Sequence, residues 1–352
     1  MIRLGIMAPA DIAVRRFLPA LVQCNNFSFA GVAVCEPWER EQNDGCRLTE
    51  KQQREKYQKQ LAKARSITNQ YGGHIFYGYS SMAESDEVDA VYVPLPPALH
   101  YKWAKICLDH EKHILLEKPF TTVEQKTEKL LEIAKKKKLA VNENYMFVYH
   151  RQVDIIRNLI EDGSIGQVRL YEAKFGFPKR LESDFRYNRL LGGGALFDCG
   201  GYLLKSASLF LGNDYSILHA MAGKNNACEV DLYGSATLVN SHGEVMNIAY
   251  GMDNAYQCEL RIWGSKAMLT ADRFFTAPSQ LSPRIELAYS DGTKKEILAE
   301  PCNTFQKSIE YFGICIGNSA ERENAYKIVE KQAFYVEEFI RSSGLLMNGE
   351  RQ

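Results

Sequence analysis

The first 145 residues alternate short apolar segments with segments in which apolar residues recur every three or four positions. The apolar segments lie at 2–7, 29–35, 90–93, 113–116 and 139–142, and the helical patterns lie at 12–22, 98–109 and 123–137. This alternation predicts parallel strands, because a parallel connection has to cross back over the sheet and usually does so as a helix. Residues 1–145 are therefore predicted to form a doubly wound α/β domain.

From residue 146 onward, strand patterns follow one another without helices long enough for parallel crossovers. They lie at 168–177, 227–239, 244–250, 259–262, 267–269 and 285–289. Helical patterns at 152–161, 195–211, 305–313 and 325–342 would cover one face of the resulting sheet. We therefore predict that residues 146–352 form an α+β domain with an antiparallel sheet, and that the last helix can pack back on the first domain.

Charge and composition exclude several classes of partner. The chain has 43 Lys and Arg against 43 Asp and Glu, so no net charge attracts nucleic acid or anionic lipid. Its apolar runs are shorter than the roughly 20 residues of a membrane-spanning helix, and its start reads as a strand rather than an export signal. The nine cysteines form no C-x-x-C pair. A cytoplasmic protein with no metal, nucleic-acid or membrane partner is expected.

A polar segment at 39–72 interrupts the alternation with eight Lys and Arg and five Asp and Glu. The absence of glycine and proline from 49 to 70 favours a long, exposed helix. A nucleic-acid-binding arm is the alternative, but aromatic residues are nearly absent among the basic ones. We expect a surface helix to which the sequence assigns no role.

The turn after the first strand is where a dinucleotide-binding fold places its glycine-rich loop. Here the residues at 5–13 read GIMAPADIA. Ala8 and Ala10 occupy positions at which glycines usually let the backbone approach a pyrophosphate. Glu36 follows the second strand, where an acidic side chain can accept hydrogen bonds from ribose hydroxyls. Since a carboxylate repels a 2′-phosphate, these residues favour NAD over NADP unless neighbouring cations reverse the local field.

Three later motifs lie where ligands bind in such folds. Two of them follow neighbouring strands, whose carboxyl ends form the ligand-binding edge of a parallel sheet. The third is a glycine loop that opens a helix with an aspartate and a tyrosine on one face. The motifs are Pro94-Leu95-Pro96 with His100, Glu117-Lys118-Pro119, and Gly192-Gly193-Gly194 with Asp198 and Tyr202. Taken alone, Lys118 could equally be a solvated or Glu117-paired lysine, and Tyr202 could be a packing residue.

In this order the motifs resemble the glucose-fructose oxidoreductase, inositol dehydrogenase and rhizopine-catabolism (Gfo/Idh/MocA) family over nearly the whole chain. Segments 10–13, 91–96 and 251–256 are most similar to the sugar-nucleotide 3-ketoreductases of deoxysugar biosynthesis within that family. The resemblance implies an N-terminal Rossmann domain and a C-terminal domain with a large open, mostly antiparallel sheet. It also implies nicotinamide chemistry on a carbohydrate or related small molecule, and a homodimer or homotetramer.

The resemblance also implies roles for individual residues. Lys118, Asp198 and Tyr202 would be catalytic: Tyr202 would exchange a proton with the substrate oxygen, Lys118 would favour this exchange and stabilise the oxygen, and Asp198 would bind a sugar hydroxyl or orient the tyrosine. The predicted cofactor contacts are Ala8, Ala10, Asp11, Ile12, Glu36, Pro94, Leu95, His100, Glu117 and Lys118. The predicted substrate contacts are Tyr145, Arg186, Tyr187 and Tyr256.

Two departures from the family pattern affect cofactor binding. The loss of glycine at Ala8 and Ala10 requires an altered turn. The ketoreductase-like relatives tend to carry Ser-Arg after the second strand, which suits the phosphate of NADP, whereas this chain has Cys35-Glu36. NAD is therefore the expected cofactor, with NADP not excluded.

We predict an NAD(P)-dependent oxidoreductase that transfers hydride between nicotinamide and a sugar or sugar-derived carbonyl or hydroxyl, with a 3-keto sugar nucleotide as one candidate. Among enzymes, the alternative is a dehydrogenase of a free sugar, cyclitol or trans-dihydrodiol. The altered glycine turn leaves a third hypothesis, a non-catalytic ligand-binding protein on the same fold. Such a protein would have no need to keep Lys118, Asp198 and Tyr202 together.

Overall fold

The computed structural model describes residues 1–39, 49–225 and 228–345 of the 352-residue chain. The chain divides into two compact units, the first comprising Met1–Asn144, Asn188–Gly193 and Phe305–Ala333, and the second Tyr145–Tyr187, Gly194–Thr304 and Phe334–Gln352. The boundary predicted between residues 145 and 146 treats each domain as one continuous segment, whereas both units are discontinuous. Among the described helices, none combines the length and apolar content that crossing a membrane requires.

The first unit contains a six-stranded sheet in which all the strand pairs are parallel. Its strands, in chain order, are β1 (Ile2–Met7), β2 (Phe27–Val34), β3 (His74–Tyr77), β4 (Ala90–Val93), β5 (His113–Leu116) and β6 (Val141–Glu143). Their order in the sheet is β3-β2-β1-β4-β5-β6, so the direction of winding reverses between β1 and β4. Ligands of doubly wound folds bind at the carboxyl ends of the strands beside such a reversal.

Helices and short helical turns connect the strands of the first unit. The helices are α1 (Leu18–Leu21), α2 (Glu50–Tyr71), α3 (Tyr79–Glu84), α4 (His100–Asp109) and α5 (Glu124–Lys137), and a π-helical segment, Ala13–Phe17, precedes α1. Near the C terminus, α8 (Thr304–Gly317) and α9 (Ser319–Ser342) contribute residues 305–333 to this unit. Tyr326 of α9 is fully buried and donates a 2.6 Å hydrogen bond to the carbonyl of Leu139.

The second unit contains an eight-stranded sheet that is mostly antiparallel, as predicted. Its strands are β7 (Val168–Gly176), β8 (Ser216–Gly223), β9 (Tyr233–Val239), β10 (Val245–Gly251), β11 (Gln257–Gly264), β12 (Ala267–Asp272), β13 (Arg284–Tyr289) and β14 (Lys294–Leu298). The order is β14-β13-β12-β11-β7-β10-β9-β8, with one parallel pair, β7 and β10. Helices α6 (Arg151–Glu161) and α7 (Gly201–Phe210) bury their apolar residues in the same core as the sheet.

Three of the described strands were not predicted, and all three are edge strands: β3 of the first sheet and β8 and β14 of the second. An edge strand has one hydrogen-bonded neighbour and keeps exposed side chains, so its apolar signal is weak. In β14 the residues are KKEIL, of which four are exposed. The strand predicted at 227–239 begins at Tyr233, and its first residue, 227, lies outside the described residues.

The long polar helix is confirmed as α2, although residues 40–48 of that segment lie outside the described residues. Thr49 and Gln52 form a capping box: the Thr49 hydroxyl accepts from the Gln52 amide at 3.3 Å, and the Gln52 side chain accepts from the Thr49 amide at 2.9 Å. This reciprocal pair satisfies two amide groups that a helix start leaves without partners. The start of α2 is therefore encoded locally.

Candidate functional site

The turn after β1 keeps a glycine-like backbone although it contains alanine. Ala8 has φ 93°, a conformation that residues with a Cβ rarely adopt, and is 7% exposed. The Ala10 amide donates to the Ala8 carbonyl at 2.9 Å, which closes the turn. Ahead of it, a Cβ at Gly5 would lie 2.8 Å from the sulfur of Met82, so that strand position requires glycine. The turn thus keeps at Ala8 a backbone that glycine usually supplies, although alanine occupies both Ala8 and Ala10.

Asp11 and Ile12 follow this turn and lead into the π-helical segment. The Asp11 carboxylate forms a 2.7 Å ion pair with Lys63 of α2, and the hydrogen bond from Lys63 lowers the pKa of Asp11 below its ordinary value. Both side chains are more than half exposed, so solvent screens this pair and its contribution to stability is small. Ile12 is partly buried at the N-terminal end of the segment.

Glu36 lies immediately beyond β2 and is 7% exposed. Its Oε1 accepts a 2.8 Å hydrogen bond from the Tyr57 hydroxyl of α2. Burial, together with this carboxylate, raises the pKa of Tyr57 to about 12, so the phenol stays protonated and remains a donor at neutral pH. Sequence reasoning found Glu36 but missed Tyr57, because the pair is made by two separate elements.

His100 connects the turns that follow β4 and β5. Its Nδ1 lies 2.8 Å from the Pro119 carbonyl and its Nε2 lies 2.8 Å from the Leu95 carbonyl, and the ring is fully buried. Burial lowers the pKa of His100, although the carbonyl partners act in the opposite direction. With both ring nitrogens against backbone carbonyls and no exposed surface, His100 lies behind the two turns. The cofactor contact that the sequence predicts for His100 stays a prediction.

The turn residues themselves are held close to the sheet. Pro94 is buried directly after β4, Leu95 is 8% exposed, and the Lys118–Pro119 peptide bond is cis. Lys118 is partly buried at the end of β5. The structure therefore brings Pro94, Leu95 and Lys118 to neighbouring carboxyl ends of the same parallel sheet.

Glu117 is fixed by two hydrogen bonds to the same carboxylate oxygen. Tyr92 donates to its Oε1 at 2.6 Å and Asn144 donates at 2.7 Å. Asn144 is in turn oriented by Ser308 of α8, whose hydroxyl donates to the Asn144 side-chain oxygen at 2.8 Å. The ring of Tyr92 stacks on Phe17 with centroids 3.7 Å apart. This network sets the direction of the residue directly before Lys118. Sequence reasoning identified Glu117 but not its partners Tyr92 and Asn144.

The glycine loop begins with Gly192, where a larger residue would displace neighbouring atoms. Gly192 has φ 75°, and a Cβ there would lie 2.8 Å from the Ala98 nitrogen and 2.9 Å from both Pro97 and Thr122. The loop 188–193 therefore packs directly against the turn after β4. This close approach and the positive φ account for the glycine.

The second unit brings Asp198 and Arg186 together. Arg186 donates from Nε to Asp198 at 2.6 Å and from Nη1 to Asp184 at 3.1 Å. Burial alone would lower the pKa of Arg186, but the two carboxylates outweigh it and raise that pKa above its ordinary value. Asp198 lies in the π-helical segment Leu196–Gly200, which leads into α7. Two residues predicted for separate roles thus form one charged group with Asp184.

Tyr202 lies in α7 within an aromatic cluster. Its ring is perpendicular to that of Tyr145 with centroids 5.0 Å apart, and it packs on Phe147 and Phe175 at 5.6 and 5.2 Å. Its hydroxyl lies 3.8 Å from the sulfur of Met146. Tyr202 is 5% exposed and Tyr145 is 1% exposed. Both predicted residues therefore pack against aromatic side chains.

Lys205 lies one helical turn beyond Tyr202 and was missed by sequence reasoning. It is 8% exposed, and its ammonium lies 5.9 Å from the centre of the Tyr145 ring, a cation–π distance. A lysine in the apolar helical pattern at 195–211 was the available signal. It places a positive charge beside the aromatic cluster.

The hydroxyls of the remaining predicted substrate residues, Tyr187 and Tyr256, each accept a hydrogen bond from an arginine. The Tyr187 hydroxyl accepts from the Arg180 amide at 2.9 Å. The Tyr256 hydroxyl accepts from Arg273 at 2.6 Å, and the same guanidinium lies 4.7 Å from its ring centre. Tyr256 is 41% exposed, so it is the most accessible of the four predicted substrate contacts.

A buried carboxylate anchors the helix that carries Asp198 and Tyr202. Asp231 accepts from the Leu196 amide at 2.7 Å through its side chain and from the Ala195 amide at 3.0 Å through its carbonyl. A negative charge is favourable at this end of a helix. Burial nevertheless raises the pKa of Asp231 to about 6. A Cβ at Gly194 would lie 2.4 Å from the Asp231 carboxylate, which explains this glycine.

Two family models match this chain. Residues 29–145 match the oxidoreductase family with an NAD-binding Rossmann fold, and residues 153–270 match the GFO/IDH/MocA C-terminal domain. The chain is 33% identical to the dTDP-3,4-didehydro-2,6-dideoxy-alpha-D-glucose 3-reductase of Actinomadura kijaniata over 88% of this chain and 86% of that protein. It is 37% identical to the reductase of the same name from Streptomyces violaceoruber over 84% and 80%.

A solved structure agrees with these matches. The crystal structure of a 3-ketoreductase from Actinomadura kijaniata in complex with NADP and TDP-benzene superposes with a TM-score of 0.86, at 31% identity, over 97% of each chain. The first unit fits a dinucleotide on its own geometry, because its β1 turn keeps the glycine-like backbone at Ala8 and a carboxylate follows β2. The chain therefore belongs to the Gfo/Idh/MocA family and is an NAD(P)-dependent oxidoreductase.

Proposed function

We propose that this enzyme reduces the 3-keto group of a nucleotide-linked deoxysugar. The relatives from Actinomadura and Streptomyces carry the name of such a 3-reductase, and the Actinomadura 3-ketoreductase binds TDP-benzene, which contains the nucleotide part of such a substrate. The alternative of a free-sugar, cyclitol or dihydrodiol dehydrogenase has more distant support, since a D-xylose 1-dehydrogenase from Haloferax volcanii is 25% identical.

One observation carries the proposal to particular residues. The Actinomadura 3-ketoreductase has been solved as variants in which one lysine or one tyrosine is replaced, and these two residues are 84 positions apart. Lys118 and Tyr202 are also 84 positions apart. The same residue types at the same spacing support Lys118 and Tyr202 as the reacting pair in this chain.

Bound NAD(P)H would supply the hydride that reaches the ketone carbon. Tyr202 would donate its hydroxyl proton to the ketone oxygen, which becomes the alcohol, and the tyrosine would regain a proton from solvent before the next turnover. Lys118 would stabilise negative charge on that oxygen as it develops. The packing around Tyr202 excludes water from one side of its ring, so the direction of its hydroxyl is set by aromatic contacts.

The sequence left two roles open for Asp198: binding a sugar hydroxyl or orienting Tyr202. In this proposal Asp198 acts through Arg186. Its carboxylate is bonded to Arg186 at 2.6 Å. Arg186, held additionally by Asp184, would present the rest of its guanidinium to a polar group of the substrate. Asp198 would position that arginine and, one helical turn before Tyr202, keep the start of the helix in place.

The preference for NADH over NADPH is also proposed, from the carboxylate of Glu36. The relative crystallised with NADP shows that the fold accepts the phosphorylated cofactor, so the preference depends on local residues. Among the described residues, the Oε2 of Glu36 has no hydrogen-bond partner, and it is available to a ribose hydroxyl. A phosphate at that position would meet the same negative charge.

We further propose that the enzyme is a homodimer through the open face of the second sheet. Trp263 is 56% exposed there, and its neighbours across the strands are Leu170 and Met268. The same face carries charges of both signs, such as Lys174 and Glu259 at 3.8 Å, which suits a self-complementary contact. Light scattering should give the mass of a dimer, and Trp263→Glu should give that of a monomer.

The test of the proposed function is consumption of NADH or NADPH with a dTDP-linked 3-keto-deoxysugar. Free sugars, cyclitols and trans-dihydrodiols with the oxidised cofactors form the comparison panel. Turnover of the nucleotide-linked ketone at least tenfold above every member of the panel is expected. Faster turnover of a panel member would assign the enzyme to the alternative, and binding without turnover of the nucleotide-linked ketone would overturn the proposed substrate.

A further inference from the structure

Helix α2 contacts the ligand-binding edge of the first sheet through one of its faces. The contacting residues recur every three positions, which places them along one side of the helix. They reach the end of β2 and the turn after β1, the two places that contact a dinucleotide in this type of fold. The contacts are Tyr57 to Glu36 at 2.8 Å, Gln60 to the Cys35 amide at 3.3 Å, and Lys63 to Asp11 at 2.7 Å.

The apolar residues that anchor α2 lie C-terminal to Tyr57, the first of these contacting residues. Its buried apolar residues are Leu61, Ala64 and Ile67, and its remaining residues are mostly polar and exposed. Tyr57 lies one helical turn before Leu61. The hydroxyl of Tyr57 is therefore a polar contact made by the part of α2 with little burial of its own, and it leads to one carboxylate.

The bond from Tyr57 leaves Glu36 half-satisfied. One carboxylate oxygen accepts the phenol, while the other has no hydrogen-bond partner among residues 1–39, 49–225 and 228–345. A carboxylate buried to this degree, 7% exposed, is costly unless hydrogen bonds compensate it. Ribose hydroxyls are donors that would satisfy the second oxygen. Tyr57 has no charge to exchange with Glu36, so it fixes the direction of the carboxylate without neutralising it.

We propose that Tyr57 is a positioning residue that determines cofactor specificity: by holding one oxygen of Glu36, it directs the other toward the adenosine ribose and so favours NADH over NADPH. This rests on the proposed role of Glu36. A fixed carboxylate accepts from the ribose diol and repels a 2′-phosphate, whereas a carboxylate free to rotate would do both less well. Helix α2, to which the sequence assigned no role, thereby supplies part of the cofactor site.

The test is the substitution Tyr57→Phe, followed by fluorescence titration of the protein with NADH and NADPH in the absence of substrate. Loss of a hydrogen bond that orients a charged acceptor should weaken NADH binding about threefold to tenfold. The Kd for NADPH should change less than twofold or decrease. Tyr71→Phe makes the same chemical change at the other end of α2 and should alter neither Kd.

A double-mutant cycle with Glu36→Gln separates this role from a merely structural one. If Tyr57 acts through Glu36, Tyr57→Phe should have no further effect on the NADH-to-NADPH ratio in the Glu36→Gln protein. An equal effect in both backgrounds, or an unchanged ratio in Tyr57→Phe alone, would overturn the inference. If Glu36→Gln itself leaves the ratio unchanged, the proposed role of Glu36 fails and the inference fails with it. Thermal unfolding of each variant without cofactor provides the check on folding.

Discussion

The two units hold their candidate residues by different means. In the first unit, Glu36, His100 and Glu117 are each fixed by hydrogen bonds of 2.6 to 2.8 Å. In the second unit, Tyr202 is fixed mainly by ring packing, and the charges are gathered separately around Arg186. Hydrogen bonds set the direction of a group, as recognition of an invariant cofactor requires. Packing sets the position of a ring and excludes water, which suits proton transfer to a substrate.

The largest expected effect tests the packed region. Tyr202→Phe keeps the ring contacts and removes the hydroxyl, so turnover should fall by about two to four orders of magnitude, the range of general acid catalysis. Affinity for NADH should stay within about twofold, because the cofactor contacts are proposed in the first unit. Steady-state assays and fluorescence titration measure the two quantities. Tyr233→Phe on the open sheet face is the matched control, and equal turnover of both variants would remove Tyr202 from the mechanism.

The second largest effect is expected at Gly194, which lets the Asp231 carboxylate approach the helical segment before Tyr202. Gly194→Ala introduces a Cβ 2.4 Å from the Asp231 carboxylate at φ 128°. Steric conflict and backbone strain together should reduce the free energy of unfolding by about 3 kcal/mol. Denaturant unfolding checks this value. Gly243→Ala, at φ 79° with no atom near the added Cβ, isolates the backbone part and should cost less.

A third prediction concerns Asp231 and pH. Its pKa of about 6 in the folded protein exceeds its ordinary value of 3.8, so the folded state binds this proton more tightly. The resulting stabilisation is complete below about pH 4 and is lost as pH rises to 6. Asp231→Asn has no such titration. The stability of the wild-type protein relative to this variant should therefore decrease between pH 4 and 6 and then level off. Urea unfolding of both proteins across this pH range measures the difference in their free energies of unfolding. A difference that does not change with pH would contradict the raised pKa.

The smallest effect is expected in the first unit, at Ala8 of the turn after β1. Ala8→Gly removes a Cβ from a residue at φ 93° and should stabilise the protein by about 1 kcal/mol, after allowance for the greater freedom of glycine in the unfolded chain. The turn would keep its course, so NADH affinity should not decrease. Thermal unfolding and titration measure both. Destabilisation would mean that packing of the Ala8 methyl group contributes more free energy than the strained backbone costs.

Much of the fold was predictable because its signals are local. Buried strands such as β4 and β5 are apolar throughout, and α2 carries its own capping box. The edge strands β3, β8 and β14 were not, because half of an edge strand's environment is solvent. The site followed the same rule: motif residues were found by type and order, whereas Tyr57, Lys205 and Asp231 stand in no motif.

By itself, the sequence determined the two-sheet architecture, because this depends on periodicity along the chain. The order of its motifs carried the resemblance to the family, and that resemblance implied NAD(P)-dependent oxidoreductase chemistry. The tertiary structure alone decided which groups meet: His100 with two carbonyls, Glu36 with a phenol 21 residues away, and Asp231 with an amide 35 residues away. Such contacts depend on the path of the whole chain, and no local pattern of residues encodes that path.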